Sequence, residues 1–112
     1  MALSDTQKEL VSIAFALVAL GGCVAFAAET VTVVQKDRRF SSDSVTIAAG
    51  DTIHFTNDDP FIHQLYTESD AFSFATPELA TGVPTDVTFP VAGTYQVLCK
   101  IHPRMNLTVN VE

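Results

Sequence analysis

From residue 30 onward, short segments in which apolar and polar side chains alternate make up most of the chain, and this pattern constrains the fold most. The segments are rich in Val, Thr, Ile and Phe, and turn-forming residues separate them, as at 49–51, 57–60, 81–84 and 90–93. Alternation with a period of two is typical of half-buried β-strands, and no helical period stands beside it in this part of the sequence. The pattern predicts eight strands, over residues 30–36, 44–48, 51–57, 64–67, 71–74, 85–89, 94–99 and 105–111.

The same alternation predicts which side chains face the interior. In the third predicted strand Ile53 and Phe55 share one face, so His54 takes the opposite face and points to solvent, where we assign it no role. A turn every eight to twelve residues favours two packed sheets, because a single open sheet would leave one face wet. The sequence therefore predicts an all-β domain, a two-sheet Greek-key β-sandwich.

Residues 1–28 differ from the rest, since the stretch 11–27 is apolar apart from Ser12 and ends in small residues. This composition is typical of a secretory signal peptide, and we expect cleavage to leave residues 29–112 in the periplasm. At about 17 residues the apolar run lies at the lower limit for crossing a bilayer. An uncleaved N-terminal anchor facing the periplasm, or lipidation at Cys23, are the alternatives.

Charge and cysteine content limit the function of the domain at 29–112. It carries five basic and eleven acidic side chains, a net charge of −6, which argues against a nucleic-acid partner. If the signal is removed, Cys99 is the only thiol left and no internal disulfide can form. A lone cysteine in an exported domain can be a free buried thiol, an intermolecular bridge or a metal or catalytic ligand.

Four potential metal donors lie at or near the ends of predicted strands. Cys99 closes one strand, His102 lies in the following loop, Met105 opens the last strand, and His63 follows the break at 58–60. Each alone could be an ordinary core or surface residue. Together, two imidazoles, a thiolate and a weakly bound thioether are the ligand set typical of an electron-transfer copper site. The combination predicts that one copper ion, cycling between Cu(I) and Cu(II), binds at one end of the sandwich.

Four parts of the sequence resemble the cupredoxins, the type 1 blue copper family. They are GDTIHFTN at 50–57, His63, FPVAGTY at 89–95 and CKIHPRM at 99–105. The resemblance extends over nearly the whole domain after the signal. The short Cys-x-x-His-x-x-Met spacing is most similar to the amicyanin members of this family, among its plastocyanin-like proteins.

The resemblance implies a role for each donor. Cys99, His63 and His102 would be the equatorial ligands and Met105 the axial one. Asn57 would hydrogen-bond the two ligand loops to each other, as residues around a metal site commonly do.

One residue departs from the amicyanin pattern. Amicyanin has proline two positions after the cysteine, whereas this chain has Ile101. We expect the restored backbone N–H of Ile101 to donate to the Cys99 sulfur, which would raise the reduction potential.

The sequence thus predicts a monomeric, non-enzymatic one-electron carrier that docks redox protein donors and acceptors near His102. An apolar patch would allow brief docking, and Lys100 and Arg104 would favour acidic partners; the patch comprises Pro60, Phe61 and Pro103. The alternative is a copper-handling protein that buffers or delivers the ion to another enzyme. A small oxidoreductase with an open copper position is less compatible with Met105, which would fill that position.

Overall fold

The computed structural model describes residues 27–112. Nine β-strands make up this part: β1 (Thr30–Lys36), β2 (Arg39–Phe40), β3 (Ser44–Ile47), β4 (Thr52–Asn57), β5 (Leu65–Thr67), β6 (Phe74–Ala75), β7 (Thr85–Thr88), β8 (Gly93–Cys99) and β9 (Asn106–Val111). Residues 1–26, which include most of the predicted signal or anchor segment, lie outside the described residues. Within residues 27–112 there is no helix of the length and hydropathy that crossing a membrane requires.

The strands form two mixed sheets, in the orders β2-β1-β4-β7 and β3-β9-β8-β5-β6. The pairs β1/β4 and β3/β9 are parallel and the remaining pairs are antiparallel. Strands that are neighbours in a sheet are often distant in sequence, so the chain crosses repeatedly between the two layers. The prediction of an all-β, two-sheet sandwich is confirmed.

Alternation located most strands to within about one residue at each end, and residues 30–36 form β1 as predicted. The segment predicted at 71–74 is wrong, because only Phe74–Ala75 pairs with β5. β2 was missed because a strand of two residues is too short to show a period. Its hairpin turn also lacks the usual glycine or asparagine, although Asp37 and Arg38 both have positive φ, 55° and 57°.

The core lies between the two sheets and follows the predicted faces. Ile53 and Phe55 of β4 are fully buried, whereas His54 between them is partly exposed and its Nδ1 bonds Asp86 on β7. The interior side chains also include an aromatic cluster with ring centroids 5.4–6.0 Å apart, formed by Phe72, Phe74, Phe89 and Tyr95.

Strand pairing brings distant parts of the sequence to one end of the sandwich. β8 ends at Cys99 and its antiparallel neighbour β9 begins at Asn106, so residues 100–105 form the connection at that end. β5 pairs with β8 on the other side, with Leu65 opposite Cys99. His63 precedes Leu65 by two positions and therefore reaches the same end.

Candidate metal centre

Three of the four predicted donors converge at this end of the sandwich. The Sγ atom of Cys99 lies 3.7 Å from Nδ1 of His63 and 3.9 Å from Nδ1 of His102. The two Nδ1 atoms lie 3.1 Å apart. All three ligand atoms are within 4.8 Å of one another, and His63 and Cys99 are buried while His102 is partly exposed.

These distances fit a single ion. First-row metal ions bind imidazole nitrogen at about 2.0–2.1 Å and thiolate at about 2.3 Å, so donors around one ion lie about 3–4 Å apart. Thiolate and imidazole donors suit copper in both of its oxidation states. The side chains therefore fit a copper ion in size and in chemistry.

Met105 lies in the connection that follows His102. Its backbone N–H donates to the His102 carbonyl at 3.0 Å, which closes a turn around that histidine. Its side chain is buried. The strand begins one residue later than predicted, so Met105 belongs to the loop rather than to β9.

His63 is held by a carboxylate that the sequence analysis did not assign. The ring is fully buried, and Nε2 lies 2.7 Å from Oδ2 of Asp59. Because Nδ1 faces the other donors, the proton of the neutral ring belongs on Nε2, where Asp59 accepts it. The sequence does carry an acidic residue four positions before the histidine, but it lies in the segment 57–60, whose composition predicts only a turn.

Asp59 is ionised in this environment. Burial acts to raise its pKa, but hydrogen bonds from the Arg38 N–H, the His63 ring and the Asp37 N–H outweigh burial, and the pKa is lowered. A negative charge therefore lies behind the buried histidine.

His102 sits at the surface end of the site. Burial lowers its pKa most, and charge interactions with His63 and Arg38 lower it further, against the opposing effect of Asp59. The ring therefore favours the neutral form, the form that binds metal. Phe61 packs against it edge-on, with ring centroids 5.9 Å apart.

A sequence profile of the cupredoxin-like domain matches residues 9–109. The chain belongs to the cupredoxin family. A search of curated protein sequences gave no significant match.

Solved structures share the fold of this cupredoxin. Amicyanin from Paracoccus versutus is 26% identical, with a TM-score of 0.68 over 81% of this chain and 87% of the amicyanin chain. The copper-containing nitrite reductase from Thermus scotoductus is 28% identical, with a TM-score of 0.69 over 81% of this chain. The match spans about a quarter of the reductase, 24% of its chain, so cupredoxin-like domains also occur within enzymes.

Membership of the cupredoxin family and the convergence of His63, Cys99 and His102 indicate a single copper site. The cofactor of this cupredoxin is therefore one copper ion, and the site supports electron transfer.

The sulfur of Cys99 accepts a hydrogen bond from a residue other than the predicted one. The Gln64 N–H donates to Sγ at 3.5 Å, and the Lys100 N–H donates to the Gln64 carbonyl at 2.9 Å. No bond from the Ile101 N–H to Cys99 is found within residues 27–112, so that prediction is wrong. The loop turns Ile101 outward, and its side chain is 43% exposed.

Asn57 organises the His63 loop, but its partners differ from those implied by the resemblance. Its side-chain amide donates to the carbonyls of Phe61 and Leu79, each at 2.9 Å, and its Oδ1 accepts the Asp59 N–H at 2.9 Å. These bonds fix residues 58–62 against the Leu79 segment rather than against the Cys99–Met105 connection. Gln64 joins the two ligand loops instead.

A cleft of about 820 Å³ opens beside His102. Its apolar lining includes the predicted patch together with Ile101. Basic side chains surround the patch, but Lys100 is not among them, because its Nζ lies over the Tyr66 ring, 5.4 Å from the centroid. The basic residues that line the cleft are Arg38, Arg39 and Arg104.

Proposed function

We propose that this cupredoxin carries single electrons between periplasmic redox proteins, with equatorial ligands His63, Cys99 and His102 and axial ligand Met105. The observation that supports this most is the convergence of two imidazole nitrogens and a thiol at one end of the sandwich, within 4.8 Å. When bound there, copper supplies a one-electron Cu(II)/Cu(I) couple.

The protein holds the proposed ligands rigidly, which suits an ion whose charge changes while its ligands stay in place. Cys99 is fixed by strand pairing, and His63 is fixed between its Asp59 contact and a backbone bridge to Leu79. His102 is held in a short turn closed by the Met105 N–H. Donors held by a packed scaffold keep their positions in both oxidation states, which lowers the cost of reorganisation.

His102 provides the path for electrons to the surface, because it is the partly exposed member of the site. The apolar side chains around it allow contact with a partner over a small area, as transient redox encounters use. Three arginines beside this patch favour partners with an acidic surface, even though the domain as a whole is acidic. The arginines are Arg38, Arg39 and Arg104.

The location and state of the protein are part of the same proposal. Residues 1–28 direct export and are removed, leaving residues 29–112 as a monomeric cupredoxin domain in the periplasm. Retention of the apolar segment would instead anchor the domain to the membrane. We propose that the protein is a carrier and not itself an enzyme.

The experiment is a redox and exchange assay on the copper-loaded protein. Ascorbate reduces the sample, hexacyanoferrate(III) reoxidises it, and a copper chelator is present throughout. A carrier takes up one electron per copper over repeated cycles and loses copper slowly. Rapid loss of copper to the chelator in both oxidation states would contradict this function and indicate a copper-handling protein. If nitrite is added to the reduced protein and is consumed catalytically, that result would contradict the proposal that the protein is not an enzyme.

A further inference from the structure

The carboxylate of Asp59 is shared between a proposed copper ligand and the turn that connects β1 to β2. Oδ2 accepts hydrogen bonds from His63 Nε2 at 2.7 Å and from the Arg38 N–H at 3.0 Å. Oδ1 accepts the Asp37 N–H at 2.5 Å. The side chain is 2% exposed, so these donors take the place of water.

The backbone of Asp59 is fixed as firmly as its side chain. Its N–H donates to Oδ1 of Asn57 at 2.9 Å, and its carbonyl accepts the Thr81 hydroxyl at 2.6 Å. A carboxylate held on both sides in this way has little freedom to leave His63. It is therefore a built part of the site and not a surface side chain in chance contact.

The turn that Asp59 binds has an unfavourable backbone. Asp37 and Arg38 both adopt the left-handed conformation, which costs residues with a Cβ about 1 kcal/mol or more each. The conformation aims the two N–H groups at the Asp59 carboxylate. It also carries the Arg38 guanidinium to 4.6 Å from the centroid of the Phe61 ring, at the edge of the cleft.

We propose that Asp59 is a positioning residue that fixes the tautomer and the basicity of His63 and thereby lowers the reduction potential of the copper site. This inference rests on the proposed function, because it concerns the same site. A carboxylate that accepts the Nε2 proton makes the imidazole a stronger donor through Nδ1. Its negative charge also favours the more positive Cu(II) state over Cu(I), which differs from it by one electron.

The test compares Asp59→Asn with Asp58→Asn in the copper-loaded protein. Asp58 is exposed and adjacent, so its replacement removes the same charge without touching His63. Loss of such a partner lowers metal affinity by about 10–100-fold. If the affinity for Cu(II) falls tenfold relative to that for Cu(I), the potential rises by about 59 mV. We expect at least this rise for Asp59→Asn and a much smaller one for Asp58→Asn.

A zinc titration gives a second readout without redox chemistry. We expect the affinity for zinc to fall by about 10–100-fold in Asp59→Asn and to stay close to wild type in Asp58→Asn. Equal potentials and equal zinc affinities in the two variants would overturn the inference. Retention of an intense thiolate-to-copper band in both would show that the proposed function still stands.

A measurement on the wild-type chain keeps the proposal testable if Asp59→Asn fails to fold. In the zinc-loaded protein with ¹⁵N-labelled histidine, Nε2 of His63 should carry a proton that exchanges slowly with water. A His63 ring with its proton on Nδ1, or with rapidly exchanging Nε2–H, would overturn the inference.

Discussion

The Nδ1 atoms of His63 and His102 lie 3.1 Å apart although the residues are separated by 39 positions in sequence. Pairing of β5 with β8 produces this approach, since Leu65 lies opposite Cys99. Two lone pairs that face each other across this distance repel unless a proton or a metal ion lies between them. A metal ion bound to both nitrogens removes this repulsion.

Metal loading should stabilise the domain. An ion that binds only the folded chain at about 1,000 times its Kd adds about 4.1 kcal/mol to the free energy of unfolding. For a domain of this size this corresponds to a rise of more than about 10 °C in Tm. Calorimetry of the metal-free and zinc-loaded protein measures the rise. The Cys99→Ser variant is the control and should show a clearly smaller effect; an equal rise in both would place the bound zinc elsewhere.

Removal of the Asn57 side chain should destabilise the domain. Asn57→Ala leaves the carbonyls of Phe61 and Leu79 and the Asp59 N–H without their side-chain partner. The Leu79 carbonyl keeps its bond from the His63 N–H, but the buried Asp59 N–H loses its acceptor, which costs about 1–3 kcal/mol. Urea unfolding of the metal-free protein gives the change in the free energy of unfolding. Asn106→Ala, at an exposed position that opens β9, is the matched control. A cost no larger than that of the control would contradict the bonding described for Asn57.

Asp51 should make the stability depend on acid pH. Hydrogen bonds from the Glu29 N–H and then the Ala48 N–H lower its pKa, outweighing the effect of burial. Its contribution is present above the ordinary carboxyl pKa, about 3.9. It is lost as the pH falls from there through the lower pKa of the folded state.

The measurement compares unfolding of wild type and Asp51→Asn between about pH 6 and pH 2. The wild type should lose more stability than the variant over the acid part of this range. Asp43→Asn, at an exposed position, should follow the wild-type curve. Parallel curves for wild type and Asp51→Asn would show that the contact with Glu29 and Ala48 contributes nothing to acid stability.

The arginines beside His102 should control reaction with anionic partners. We expect Arg104→Glu to slow oxidation of the reduced copper protein by hexacyanoferrate(III) about tenfold or more at low ionic strength. Salt should bring the two rates together, because it screens the charges. Lys36→Glu makes the same charge change at an exposed position that does not line the cleft, so its rate should stay near wild type. Equal slowing by both variants would indicate an effect of net charge and exclude a docking face.

The architecture was predictable where alternate residues are buried between two sheets. β4 and β8 show this directly, since Ile53, Phe55, Val97 and Cys99 are all interior. The pattern failed at Phe72 and Phe74, whose rings join the aromatic cluster from a mostly irregular segment. Hydrophobicity marks burial there without marking a strand.

The candidate site was predictable in its donor types but not in its supporting contacts. Cys99, His102 and Met105 lie close together in the sequence, and His63 follows a distant turn. The structure brings His63, Cys99 and His102 together, and their coordination of copper stays a prediction. The contacts of Asp59 and Gln64 depend on how two loops are folded, and the local sequence of each loop does not predict this. In the sequence, Asp59 beside Pro60 predicts a turn. Only the structure shows that its carboxylate contacts the imidazole of His63.

The most direct test of the account is the visible spectrum of the copper-loaded protein before and after Cys99→Ser. Charge transfer from a thiolate to Cu(II) should give the wild type an intense visible band, which the variant should lose while it still folds. A wild-type sample that binds one copper per chain without this band, or a variant that keeps it, would contradict a copper site built on Cys99.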